Sequence, residues 1–224
     1  MKTLFITATG TGTGKTYVTA GLGRALMETG VSVRALKPVI TGFDPAALDD
    51  TDTAVLIRSL GDEPTEEAIE ACSPWRFTEP MSPDMAAARE GRGIDINTLL
   101  RFSADAQKGP EDVLLIEGIG GAMVPLDETR TVLDWMAELG ATALVVAGSY
   151  LGTLSHTLTT VAAIEGRGVD IAGIAIDESE ESPVPLGETA ETLARFLPGL
   201  GIATVPRNAL PEDVLGALKE MIGV

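Results

Sequence analysis

The chain is poor in the residues that carry redox and acid–base chemistry: its 224 residues include one cysteine, Cys72, and one histidine, His156. A lone thiol excludes an intramolecular disulfide, and a reducing compartment is the natural setting for such a chain. A lone histidine near a helix start is expected to pack or hydrogen-bond rather than to catalyse. Catalysis then has to come from positioning and charge neutralisation. Basic residues are scarce too: 16 Lys and Arg stand against 33 Asp and Glu, a net charge of −17. That balance repels polyphosphate backbones and argues against nucleic acid as a partner. A phosphorylated ligand would have to be held by local donors and a metal rather than by the overall field. Apolar runs are short. None approaches the ~20 residues needed to cross a bilayer, and Thr3–Thr7 is too brief for a secretory core. The expectation is a cytoplasmic protein with no membrane partner.

What is present is a regular alternation of strand-like and helix-like segments, without a Pro-, Gly- or Ser-rich linker and without an internal repeat. With 45% apolar residues in 224, one domain spanning 1–224 is expected. Strands are predicted at Lys2–Ala8, Val31–Val39, Val113–Glu117, Ala141–Ala147, Val169–Ile176 and Ile202–Val205. Helices are predicted at Lys15–Thr29 (closed by Gly30), Thr51–Leu60, Met85–Arg89, Ile96–Lys108, Leu154–Arg167 (after a Thr153 cap), Leu186–Phe196 and Pro211–Ile222. Gly61–Pro83 is expected to be irregular, and the acidic stretch Asp177–Glu191 a solvated surface. Trp75, Met81, Met85 and Trp135 read as core or interface groups.

The alternation predicts an α/β fold: a doubly wound, mostly parallel sheet with helices on both faces, which the loop described next makes one of the P-loop NTPase type. In such sheets ligands sit beyond the carboxyl ends of the strands. Each motif below falls at such an end.

Thr7-Ala8-Thr9-Gly10-Thr11-Gly12-Thr13-Gly14-Lys15-Thr16 follows the first strand and opens the first helix. Small residues there let backbone N–H groups turn onto phosphate oxygens, and the helix N-terminus adds partial positive charge. Lys15 can reach the terminal phosphates, and Thr16 offers a hydroxyl to Mg²⁺. The match to G-x-x-x-x-G-K-[ST] is not literal, because Thr9 stands at its first glycine. A ligand-free Thr/Gly turn is the bland alternative. The strand–loop–helix context and Gly14-Lys15-Thr16 in register favour phosphate.

A Mg²⁺–nucleotide site also needs oxygen ligands. Glu117 ends the apolar run 113–116 and precedes Gly118, Gly120 and Gly121, so a metal role is favoured over that of a surface acid. Asp52 lies in the cluster Asp49, Asp50, Asp52, where helix-start charge explains it equally well. Lys37 and Thr41 lie in Leu36-Lys37-Pro38-Val39-Ile40-Thr41-Gly42, after the second strand. A lysine buried there needs an anionic partner, whereas one at an edge would simply reach water.

Together these segments resemble the dethiobiotin synthetase family. The resemblance runs from Lys2 to about Pro206 and takes in four further segments. These are Glu79-Pro80-Met81-Ser82-Pro83, Glu117-Gly118-Ile119-Gly120-Gly121, Leu151-Gly152-Thr153-Leu154-Ser155-His156-Thr157 and the strand ending at Asp177. It implies a Mg²⁺-dependent ligase that works as a homodimer. Its substrates would be ATP, CO₂ and 7,8-diaminononanoate (diaminopelargonate).

Carried across residue by residue, the resemblance puts Thr16, Asp52 and Glu117 on Mg²⁺. Lys15 and Lys37 flank the γ-phosphate and the substrate carbamate, with Thr11 beside them as a further catalytic and diamine contact. Gly12, Thr13, Gly14, Lys15, Thr16, Tyr17, Glu117, Asp177 and Pro206 hold the nucleotide. Thr41, Gly118 and Gly121 contact the diamine, and Gly152 and Ser155 of a partner subunit receive its carboxylate.

The chain also departs from the family pattern. Ala8 stands where the loop usually begins with glycine, Gly12 where some members place glutamate, and Ser155 for a frequent asparagine. Asp177 replaces an asparagine that reads adenine. An ionised carboxylate only accepts hydrogen bonds, which suits guanine's adjacent N–H donors better than adenine's mixed edge. The competing reading is a switch ATPase of the partitioning or cell-division-site type. Such proteins usually place a lysine early in the loop, where this chain has Gly10.

Overall fold

The structure, a computed structural model, describes residues 1–223. Strands and helices are numbered in chain order. Six strands form one parallel sheet: β1 (Lys2–Ala8), β2 (Val33–Leu36), β5 (Val113–Glu117), β6 (Thr142–Gly148), β7 (Ile171–Asp177) and β8 (Ile202–Val205), in the order β2-β5-β1-β6-β7-β8. A separate parallel pair joins β3 (Val39–Thr41) to β4 (Trp75–Phe77).

The central strands read as unbroken apolar runs because both faces of a parallel sheet are covered. On β1, Leu4, Ile6 and Ala8 pack toward α1 (Lys15–Glu28) and α9 (Glu212–Ile222). Phe5 points the other way, into the layer built by α5 (Ile96–Ala106), α6 (Val132–Leu139), α7 (Thr153–Gly166) and α8 (Leu186–Phe196). There it meets the fully buried Trp135 edge-on, with ring centroids 4.7 Å apart. The indole N–H donates to Ser103 Oγ at 3.1 Å, so its polar atom is satisfied in the core. Truncating Trp135 to alanine would cost about 3–5 kcal/mol.

Three local expectations need correction, and one helix was not expected. The strand predicted over Val31–Val39 is two strands, broken at Lys37-Pro38. Pro38 has no N–H to give a sheet, and the Lys37 N–H turns to the Cys72 carbonyl at 3.2 Å instead of to β5.

Gly61–Pro83 is not irregular throughout. It holds α3 (Glu66–Cys72), whose Thr65 hydroxyl accepts from Ala68 N, and then β4.

The helix α6 follows a capping box, in which Thr131 and Asp134 satisfy each other's backbone, and it ends at Gly140 with φ 66°. The Thr131–Asp134 spacing is the sequence signature of this helix start.

Thr153 does not cap α7. Gly152 takes the N-cap position at φ 100°, and the Thr153 hydroxyl donates to the Gly148 carbonyl.

Two short helices complete the frame around the carboxyl edge of the sheet: α2 (Asp52–Ser59), capped by Thr51, and α4 (Pro83–Arg89). Met85 on α4 is 56% exposed and lies outside the core, whereas Trp75 and Met81 are partly buried against the core cluster around Phe77 and Leu99.

Candidate functional site

The register of the sheet decides what meets at its carboxyl edge. Ile6 pairs with Glu117, Ala8 with Val146, and Gly148 with Asp177. The loop after β1, the acid ending β5 and the acid ending β7 therefore open on the same side.

Residues 9–14 turn the chain from β1 into α1, and Gly12 and Gly14 adopt φ of 71° and 83°. Among the described residues, the amides of Thr11, Gly12, Thr13 and Gly14 donate to no backbone carbonyl. The first turn of α1 adds further free N–H groups, since its backbone bonds begin with Val18 N to Gly14 O at 2.9 Å. Such a concave row of unpaired donors at a helix N-terminus is a ready anion site.

Glycine is required at position 14 for a second reason. A Cβ there would run into the Asp177 carboxylate. Gly121 is constrained in the same way: its Cβ would lie 3.3 Å from Ala8 O and Gly10 N, so the 118–121 turn packs directly on the loop backbone.

Two lysines reach this loop. Lys15 Nζ donates to the Gly10 carbonyl at 3.2 Å. Burial, followed by the neighbouring ammonium of Lys37, lowers its pKa to about 8, and the acids Glu117 and Asp52 only partly offset this. Lys37 is more deeply placed, 3% exposed. It donates to Glu117 Oε1 at 2.6 Å and to the Gly118 carbonyl at 3.2 Å, and it lies 3.2 Å from Asp52 Oδ2. Burial disfavours its charge, but the two carboxylates outweigh that and hold its pKa above the ordinary lysine value. Partial burial raises the Asp52 carboxyl, yet Lys37, the Thr16 hydroxyl and Lys15 keep it below the usual carboxylate range.

Glu117 is fully buried. Its Oε1 accepts from Thr16 Oγ1 at 2.8 Å as well as from Lys37, while its Oε2 has no partner among the described residues. A buried carboxylate oxygen without a donor is a costly vacancy in the bonding pattern. A hard cation fits it. Thr16, Glu117 and Asp52 offer hydroxyl and carboxylate oxygens, the donors that Mg²⁺ takes. Among the described residues no three His, Cys, Asp or Glu form a complete cage.

The structure brings most of the expected residues together. Thr11, Gly12, Thr13, Gly14, Lys15, Thr16, Tyr17, Lys37, Thr41, Asp52, Glu117 and Asp177 line a single cavity of about 430 Å³ with Ile119 and Gly120 of the 118–121 turn, and Ile40 is added by the structure. Asp52 stands at the first position of α2, aimed at Lys37, which spacing alone left open.

Asp177, which the family resemblance places against the nucleotide although the acidic stretch it opens reads as solvated surface, is half-buried in this cavity. Burial, with Glu178 adding to it, pushes its carboxyl up to about 6 against the pull of Arg207. Arg207 pairs with Glu180 at 3.5 Å rather than with Asp177.

Gly118 contributes its carbonyl from just outside. Gly121 lines a neighbouring cavity of about 410 Å³ with Thr11 and His156. Thr11, Thr41 and the Pro80–Pro83 segment border a third of about 330 Å³. Pro206 follows Val205, the register partner of Asp177, but does not line the main cavity. Gly152 and Ser155 lie at the exposed start of α7, away from this chain's own cavity; Leu151 beside them is 87% exposed. His156 accepts or donates a hydrogen bond at 2.9 Å with the Tyr150 hydroxyl, the bonding role expected of it.

The loops after β6 and β7 are tied to each other. Ser149 N donates to Ser179 Oγ and Ser179 N to Ser149 Oγ, both at 2.9 Å.

Loop, lysine, hydroxyl and strand-end acid at the edge of a doubly wound parallel sheet define a P-loop NTPase. Solved structures of that class superpose on the chain. The cell division ATPase MinD of Pyrococcus furiosus matches with a TM-score of 0.59 at 17% identity, over 100% of this chain and 99% of that one. The signal recognition particle receptor FtsY of Elizabethkingia anophelis matches with a TM-score of 0.52 at 12% identity, over 99% and 65%. At such identities the likeness is one of fold alone.

Sequence is more specific. The family described as an AAA domain matches residues 2–213. The ATP-dependent dethiobiotin synthetase BioD of Acidiphilium cryptum is 48% identical, covering 88% of this chain and 89% of that protein. That of Methylobacterium nodulans is 42% identical, covering 93% and 94%. The chain belongs to the dethiobiotin synthetase family.

Proposed function

We propose that the chain is a nucleotide-dependent cyclo-ligase that closes a ureido ring on 7,8-diaminononanoate with CO₂, giving dethiobiotin, nucleoside diphosphate and phosphate. The observation that carries this reading is the meeting of two buried lysines, the Thr16 hydroxyl and two acids beside a row of free backbone amides. Family membership supplies the substrate class.

In this reading one substrate amine attacks CO₂, loses a proton and becomes a carbamate. A carbamate oxygen attacks the γ-phosphorus, and the bond to the nucleoside diphosphate breaks. The second amine then attacks the carbonyl carbon of the mixed carbamic–phosphoric anhydride, closes the ring and expels phosphate. Every stage gathers negative charge in one place, so the chain's work is neutralisation and alignment. The loop amides hold the nucleotide phosphates, Lys15 spans the transferred group, and Lys37 faces the carbamate. Bound Mg²⁺, held by Thr16, Asp52 and Glu117, supplies further charge neutralisation at the phosphates.

Lys15, with its lowered pKa, gains most from an anionic neighbour, which restores the environment its charge lacks. Thr11, Thr41 and the Gly118–Gly121 turn border the space left for the diamine. Gly152 and Ser155 are exposed and line no part of this cavity, which is compatible with a homodimer in which each chain's α7 start serves its partner's substrate carboxylate. A cytoplasmic setting suits the single buried thiol.

The test is incubation with diaminopelargonate, bicarbonate and Mg–ATP or Mg–GTP, followed by mass analysis. Dethiobiotin should appear in step with released phosphate. Phosphate release without product, whichever nucleotide is used, would move the chain to the switch-ATPase class.

A further inference from the structure

Two fully buried hydroxyl side chains, Thr53 and Ser73, lie beside the site but outside its cavity. Their oxygens are 2.7 Å apart, and Ser73 Oγ lies 2.6 Å from the Lys37 carbonyl oxygen. Each hydroxyl has one proton to give, and a carbonyl can only accept. Ser73 therefore donates to Lys37, which leaves Thr53 as the donor to Ser73. The pair has a fixed direction and ends on the backbone of residue 37. The other polar group of that backbone, the Lys37 N–H, is taken by the Cys72 carbonyl at 3.2 Å. Cys72 and Ser73 thus hold both backbone groups of Lys37, at the point where Pro38 has broken the strand.

Thr53 adjoins Asp52 in the first turn of α2. The hydroxyl pair therefore bridges the two backbones whose side chains form the Lys37–Asp52 ion pair at 3.2 Å. An apolar side chain in place of Ser73 would strip the buried Lys37 carbonyl of its donor. Polar side chains wholly removed from water impose geometry in return, because only one arrangement satisfies them.

We propose that Thr53 and Ser73 are positioning residues: their directed hydroxyl pair fixes the separation of Asp52 from Lys37, so that acid and ammonium meet the nucleotide phosphates in one arrangement. The proposal rests on the synthetase reading for the work those two side chains do, but the bridge itself can be measured without turnover.

Thr53→Val keeps the shape and removes only the hydroxyl, and Ser73→Ala removes the central link. In each variant kcat should fall about tenfold and the Mg²⁺ concentration for half-maximal rate should rise by a similar factor, the scale expected for groups that orient metal-site residues. KM for the diamine should hold. The rise in unfolding temperature on adding Mg–ATP or Mg–GTP should shrink, and Thr53→Ser should restore all three quantities.

If Ser73→Ala does not fold, Thr53→Val and its serine counterpart decide the matter. A Thr53→Val protein with the wild-type kcat, Mg²⁺ dependence and nucleotide-induced shift overturns the proposal, even if its melting temperature falls. If wild type makes no dethiobiotin and Thr53→Val still loses the Mg–nucleotide shift, the synthetase reading fails while the positioning role stands.

Discussion

Glu117 Oε1 receives Lys37 Nζ at 2.6 Å and Thr16 Oγ1 at 2.8 Å. One buried oxygen thus fastens the second lysine to the first turn of α1. Lys37→Met would leave that carboxylate buried without its counter-charge. Unfolding free energy, read from a denaturant titration, should drop by about 3–5 kcal/mol, and turnover should vanish. Adding Glu117→Gln to Lys37→Met should recover part of the stability and none of the activity.

Lys15 should behave in the opposite way. Among the described residues its ammonium has one hydrogen-bond partner, the Gly10 carbonyl, and it lies under the field of Lys37. Lys15→Ala should therefore leave the melting temperature of the ligand-free protein unchanged or slightly higher. Product formation should fall by roughly 10²–10³-fold, the scale for a removed charge-stabilising donor. A Lys15→Ala protein with undiminished turnover would dismantle the site.

Much of this was legible in the sequence, because strand ends and glycine turns announce a carboxyl-edge site through local pattern alone. Lys15 and Thr16 stand where the loop motif puts them, and Glu117 ends an apolar strand before a glycine turn. Asp52 did not declare itself. Its meaning comes from Lys37, fifteen positions earlier, and only the folded chain sets the two at 3.2 Å. The helix Glu66–Cys72 was masked by the prolines and acids around it, although Thr65 carried a cap signature. Ser73 and Thr53 gave no cue at all, since a buried hydroxyl pair has no period and no motif.

Asp177 makes the site depend on pH. Its folded pKa, about 6, lies above the model-peptide value of 3.8. Between these values the folded chain binds more protons than the unfolded one, so its stabilising contribution is full below about pH 4 and is lost as pH rises through 6. Asp177→Asn should then be more stable than wild type at pH 8 by on the order of 1 kcal/mol, after discounting for solvent screening, with the gap closing on acidification. Tyr17, Glu178 and Arg207 are the other ionisable groups around it. For the base, wild type at pH 8 should turn over GTP ahead of ATP and CTP. ATP should gain ground as pH falls through 6 and in Asp177→Asn. A strong ATP preference at pH 8 would refute this.

Mixing tests the assignment of α7 to a partner's site. Ser155→Glu places a negative charge where a carboxylate should dock, and Lys15→Ala disables the loop. Each chain alone should be inactive. Co-refolded at equal amounts they should recover about a quarter of wild-type activity, since half the dimers carry one intact site of two. Recovery of nothing would place the carboxylate elsewhere.

Ser149 and Ser179 each give an N–H to the other's hydroxyl, two residues beyond Asp177 and three before Gly152. Neither loop can swing without stripping a hydrogen bond from its mate, so they travel as one jaw. The strand end that carries Asp177 and the turn that leads into α7 thus share one pair of bonds, and removing either hydroxyl loosens both ends.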